Sequence, residues 1–204
     1  MEVEKKEWVV SITIWVLVVL AAFVLSHTCN SQPPHIRLAL SYEGVKEDNN
    51  NRGALIDKIN KHAGSPLGSS YCANFGRFVL DSVKAVSPAY RPPVATAWLR
   101  NKSVIKANDV YYGKVTAPSG AVIVWRNGGS WQGHLGFLIK FISKVGMQTI
   151  EANTSPSKAG SQTNGGGIYL RIRNIAPFAY FKIEGFMPVG YKQEPMLREV
   201  SLSY

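Results

Sequence analysis

The sequence predicts an α+β fold: helices early in one domain, packed on an antiparallel β-sheet of about five strands, with one transmembrane helix ahead of them. Three observations carry this reading. Apolar residues recur at helical spacing between residues 51 and 101. From Gly120 onward the apolar runs are short, rich in β-branched and aromatic residues, and separated by Gly and Pro. Ahead of both lies an uncharged stretch from Trp8 to Ser26.

That stretch, WVVSITIWVLVVLAAFVLS, would form a helix of about 28 Å at 1.5 Å per residue, close to a bilayer core. It is read as an uncleaved membrane anchor over residues 8–26. A cleaved signal peptide competes, but the apolar run is long and no A-x-A site follows. A lipoprotein signal ending at Cys29 fits less well, because Ser26-His27-Thr28 stands where small residues are wanted. Lys5 and Lys6 precede the span and the next cation is Arg37. Counting cations therefore places residues 1–7 in the cytoplasm and the domain on the periplasmic or extracellular side. Residues 27–50 are polar, contain Pro33-Pro34, and read as a linker.

The domain proper is expected over residues 51–190. Asn51 is positioned to cap a helix through Leu55, Ile56 and Ile59 that ends near Gly64. A second helix starts at Ser69 or Ser70, carries Phe75, Phe78, Val79 and Val83 on one face, and is stopped by Pro88. A shorter third covers Val94 to Asn101. The strands are GAVIVW, HLGFLIKFIS, MQTIEAN, GIYLRIR and FKIEGFMPV, with Gly128-Gly129, Gly146, Gly165-Gly166-Gly167 and Pro177 between them. The core should pack the second helix on one face of this sheet. Residues 191–204 read as a polar tail.

Composition narrows the classes of function. Lys and Arg number 23 against 13 Asp and Glu, a formal net charge of +10. Nucleic acid, anionic lipid or an acidic cell-wall polymer would each suit that balance. The cations are scattered, and no helix-turn-helix, zinc-finger or RRM signature is present, so nucleic acid is not expected as a partner. There are two cysteines, Cys29 and Cys72. A disulfide between them would consume a nucleophile and is not expected. No calcium loop, phosphate loop or dinucleotide fingerprint appears, so neither a metal nor another cofactor is expected.

The candidate chemistry lies in three short segments. Cys72 opens an apolar helix in GSSYCANFGRFVLDSV, where free N–H groups and the helix dipole favour a thiolate. Its own N–H would serve as one oxyanion donor. His134 sits in WQGHLGFLIKF, between two glycines. Of the four histidines, His27 and His35 fall in the flank or linker and His62 ends a helix, which leaves His134 as the general base. Glu151 and Asn153 are two apart in TIEANTS and would share a strand face, so either could accept the His134 Nδ1–H and fix its tautomer. Trp125, Trp131 and Tyr169 are core aromatics or, near the cleft, stacking surfaces for a substrate.

Together these segments resemble the CHAP family of peptidoglycan-cleaving cysteine hydrolases of the papain-like group. The similarity lies in the Cys-helix, the G-H-x-G-F strand, the E-x-N-T strand end and the run NGGGIYLRIRN, over roughly residues 50 to 190. It implies a papain-like fold and a peptidoglycan substrate, with Glu151 as third member of the site and Asn153 assisting. It also implies a Gln before the nucleophile; Tyr71 stands there instead and could offer its hydroxyl to the oxyanion. The expectation is a membrane-anchored, endolysin-like cysteine peptidase or amidase cutting a peptidoglycan amide bond, with an immunity or lysis partner unidentified. The alternative is a catalytically inactive, anchored wall-binding or scaffold protein on the same fold.

Overall fold

A computed structural model of the chain describes residues 32–156, 165–175 and 181–192. The chain divides into two units, Met1–Gln32 and Pro33–Tyr204, and the description that follows concerns the second. Its fold is α+β, with a six-stranded and a two-stranded antiparallel sheet.

Three α-helices come first: α1 (Pro34–Leu40), α2 (Ala54–Ala63) and α3 (Cys72–Ser82). A short strand β1 (Ala85–Ser87) and a 3-10 helix (Ala95–Arg100) follow. Strand β2 (Ile105–Lys106) leads into the one-turn helix α4 (Ala107–Tyr111). Then come β3 (Val122–Asn127), β4 (Gly133–Phe141), β5 (Gly146–Thr154), β6 (Gly167–Asn174), β7 (Phe181–Met187) and β8 (Gly190–Tyr191). The large sheet runs β2-β7-β3-β4-β5-β6, and β1 pairs with β8.

Helix α3 buries Phe75, Phe78, Val79 and Leu80 against the sheet. Each such side chain contributes about 1.5–3 kcal/mol on leaving water. A polar pin fixes α3 to α2: Asn74 donates to Asn60 Oδ1 at 2.8 Å, and Asn60 donates to Ser69 O at 3.2 Å. Gly76 lets α3 lie close on β4, since a Cβ there would stand 2.5 Å from Leu135 Cδ2.

Strand alternation gives the sheet two apolar faces. Leu135, Phe137 and Ile139 of β4 and Ile150 and Ala152 of β5 join the cluster that contains α3. Ile123, Trp125, Leu138 and Met147 join a second cluster on the other face, with Ala107 of α4.

Several expectations need correction. The sheet has six strands rather than about five, because Ile105–Lys106 adds an edge to β7 too short to stand out in the sequence. A second, two-stranded sheet was not foreseen. Residues 34–40, assigned to the 27–50 linker, form a helix with His35, Ile36 and Ala39 buried. At the other boundary, Tyr191 pairs with Ala85 and accompanies the core cluster rather than opening a tail. Asn51 does not cap α2: the N-cap is Gly53, and Asn51 sits in a turn at φ 57°, its side chain donating to Gly68 O. No helix among the described residues is long and apolar enough to cross a membrane. The 8–26 segment lies outside the described residues. The membrane anchor, the membrane as partner and the membrane-anchored localisation thus have no helix among the described residues to rest on and are withdrawn.

Candidate functional site

Cys72 is the first residue of α3, and its side chain is nearly enclosed, with 6% of the residue exposed. His134 lies near the start of β4 and Glu151 in β5; both are fully buried. Gly136 pairs with Glu151, so His134, two residues before Gly136, stands diagonally beside Glu151 on one sheet face. The His134 ring lies 5.5 Å from that of Trp125, its cross-strand partner, which places it on the face opposite α3.

Cys72 meets His134 where the β4–β5 pairing has ended. Pairing of β4 with β5 stops at Gly136 and Glu151, although β4 continues back to Gly133 and β5 on to Thr154. Beyond this point β5 has a register irregularity between Ala152 and Thr154, with Asn153 at φ 59°. Cys72 interacts there with the imidazole of His134 and the backbone N–H groups of Leu135 and Ala73.

The His134 Nε2 and Glu151 Oε2 are 3.0 Å apart, so Nε2–H donates to the carboxylate. That leaves Nδ1 for the sulfur, the reverse of the nitrogen assignment expected from sequence. Glu151 accepts more than this one bond. Oε1 takes the Thr149 hydroxyl at 2.5 Å and Arg173 Nε at 2.8 Å, and Oε2 takes Arg173 Nη2. The guanidinium of Arg173 lies 5.8 Å from the centre of the Trp125 ring.

The electrostatics follow from this chain of contacts. Burial pushes the Cys72 thiol up, but the hydrogen bond and charge of His134 and the two backbone donors outweigh it and hold the thiol below its ordinary value. Burial would also lower the His134 pKa. The hydrogen bonds and charges of Cys72 and Glu151 override it and raise it to about 9. For Glu151 burial works upward, while Arg173 and His134 together bring the carboxyl down to about 2. An imidazolium, a carboxylate and a guanidinium leave one positive charge among them, which favours the charged form of the Cys72 sulfur beside them.

The other candidates are placed differently. Asn153 is buried and neither polar atom of its side chain has a hydrogen-bond partner. Its backbone is left-handed, with φ 59°, at a register irregularity of β5. Tyr71 is fully buried, and its hydroxyl faces the backbone of Asn153. Burial, with the charge of Glu47, raises its pKa. Trp125 is buried, Tyr169 half-buried, and Trp131 is 72% exposed on the loop between β3 and β4. His35 is a structural histidine: its Nε2–H donates to Gly120 O at 2.7 Å and its Nδ1 accepts from the Tyr191 hydroxyl. His62 pairs with Asp81. Cys72 is a free thiol, and Cys29 lies outside the described residues. Among the described residues no group of three or more His, Cys, Asp and Glu is placed to hold a metal ion.

The glycines flanking His134 have packing reasons. A Cβ on Gly136 would stand 2.6 Å from Glu151 Cγ, and one on Gly133 would stand 2.3 Å from Trp125 O and 2.6 Å from Thr96 Cγ2. The first leaves room for the carboxylate, the second for the close approach of β3 and the 3-10 helix. Sequence reading missed Thr149 and Arg173. Thr149 shares the Glu151 face by its two-residue spacing, but only the β5–β6 register brings Arg173 onto it.

The chain matches no family model, no curated protein and no solved structure. The resemblance to the CHAP family is therefore not supported as membership. The papain-like fold name, the endolysin-like role and the cell-wall associations it implied are withdrawn with it.

Proposed function

We propose that this domain is a cysteine hydrolase that cleaves an amide bond through Cys72, His134 and Glu151. The observation that carries the reading is the buried 3.0 Å bond from His134 to Glu151, with Cys72, at the first turn of a helix, interacting with the same imidazole at the end of a strand pairing. A buried His–Glu pair costs desolvation, and groups so perturbed cluster at functional sites.

In this mechanism the Cys72 thiolate attacks the carbonyl carbon and its electrons move onto the carbonyl oxygen. The Cys72 N–H supplies one donor to that oxyanion. The intermediate collapses, the C–N bond breaks, and the leaving amine takes its proton from His134 Nδ1. A thioester remains. His134, now neutral, removes a proton from water; the hydroxide attacks the thioester and releases a carboxylic acid and the thiolate. Glu151 holds the ring in place and stabilises its charged form.

The test is incubation of the purified chain with a panel of peptide and other amide substrates, followed by mass spectrometry of the products. New amine and carboxyl termini that disappear with Cys72→Ser support the reading; intact substrates throughout would overturn it. A second reading, a non-catalytic binding domain, draws on the near-complete enclosure of the reacting groups. It predicts retention of substrate without turnover.

A further inference from the structure

We propose that Arg173 is a positioning residue for this site: its guanidinium fork fixes the Glu151 carboxylate so that Oε2 faces His134. The inference rests on the cysteine-hydrolase reading and adds a fourth residue to it. Arg173 engages both carboxylate oxygens, Nε with Oε1 at 2.8 Å and Nη2 with Oε2. A carboxylate held by one bond can rotate about its last torsion; one held by two parallel N–H donors cannot without losing both. Thr149 adds a third donor to Oε1. So held, Oε2 also faces His134 Nε2, 3.0 Å away.

The fork itself is held by its surroundings. Arg173 pairs with Met147 across β5 and β6, which puts it on the face that carries Glu151. Its side chain is only 12% exposed, and the Trp125 ring lies against both its guanidinium and the His134 ring. A lysine would keep the charge but bring one ammonium in place of two coplanar donors, so charge and alignment can be separated experimentally.

The experiment uses the full chain as wild type, Arg173→Lys, Thr149→Val, Glu151→Gln and the Glu151→Gln/Arg173→Lys pair. Two quantities are read: kcat and KM on an amide substrate the wild type cleaves, and the pH titration of the His134 ring by NMR. For Arg173→Lys we expect kcat to fall about tenfold with KM unchanged, the pattern of lost transition-state alignment. The His134 titration should move down by about one pH unit as its bond to Glu151 slackens. The double variant should be no slower than Glu151→Gln alone, because Arg173 acts only through that carboxylate. Wild-type kcat in Arg173→Lys, an unmoved His134 titration, or an additive double variant would overturn the proposal. So would a lower count of alkylatable Cys72 sites with unchanged kcat per site, which marks a purely structural arginine. If Arg173→Lys fails to fold, Thr149→Val decides. It should shift the His134 titration in the same direction by a smaller amount, and no shift refutes the alignment. A wild type that cleaves no amide would remove the proposed function, while the ring titration would still judge Arg173.

Discussion

His35 offers a sharp test of how this domain is held together. It lies in α1 with 1% of its surface exposed, donates Nε2–H to Gly120 O, and accepts at Nδ1 from Tyr191. Both bonds need the neutral ring with its proton on Nε2. Burial lowers the pKa from 6.5 to about 4, against a smaller upward pull from the Gly120 carbonyl. The sign follows from linkage: between those two values the unfolded chain binds a proton that the folded chain does not, so stability falls as pH falls. The loss begins near the unfolded pKa and levels off below the folded one. With one pKa unit worth about 1.4 kcal/mol, the 2.5-unit difference amounts to about 3 kcal/mol between pH 7.5 and pH 4. The perturbation is His35→Gln, which keeps a donor and an acceptor but does not titrate. The assay is urea unfolding of both proteins across that pH range. Carboxylates titrate alike in the two proteins and cancel in the difference, so the variant should lose about 3 kcal/mol less on acidification. Parallel pH dependences would refute the account of a neutral, buried staple.

Other outcomes follow from the site. Cys72→Ser and His134→Ala should each remove nearly all hydrolysis, and the double variant should be little worse than either, as measured by initial rates. Glu151→Gln should lower kcat by about 10²–10³-fold, roughly 3–4 kcal/mol of barrier. It should also move the alkaline limb of the pH–rate profile below the value of about 9 that His134 now has, because the carboxylate no longer favours the imidazolium. Asn153→Gly should leave kcat within a few-fold and hold or raise the melting temperature, since the position has φ 59° and the side chain makes no hydrogen bond. Gly136→Ala should reduce kcat more than stability: its Cβ would press on Glu151 Cγ, 2.6 Å away, and displace the carboxylate from His134.

Much of the architecture was legible because local patterning and burial agree. The α2 and α3 helices are amphipathic at the helical period; α2 ends at Gly64 as expected, whereas α3 ends at Ser82, with β1 between it and the Pro88 expected to stop it. The β3 to β7 runs carry the apolar residues that both sheet faces need. What escaped was short or nonlocal. Pro34–Leu40 starts at the second of two prolines in a polar stretch, and its burial depends on His35 reaching Gly120 and Tyr191, far along the chain. Two-residue strands such as β2 and β8 have no period to detect.

The sequence by itself determined which side chains were available: one Cys at a helix start, one His between glycines, and a Glu and an Asn two apart. Only the tertiary structure decided how they combine. Strand alternation assigned Glu151 and Asn153 the same face, but of the two only Glu151 hydrogen-bonds His134, while Asn153 has a left-handed backbone and a side chain without a hydrogen bond. The β4–β5 pairing ends at Gly136 and Glu151, and Cys72 interacts with the ring of His134 just beyond that point. Strand register then set Arg173 over Glu151, although 22 residues separate them. A bulge and a register are properties of two strands together, so no single segment could announce them.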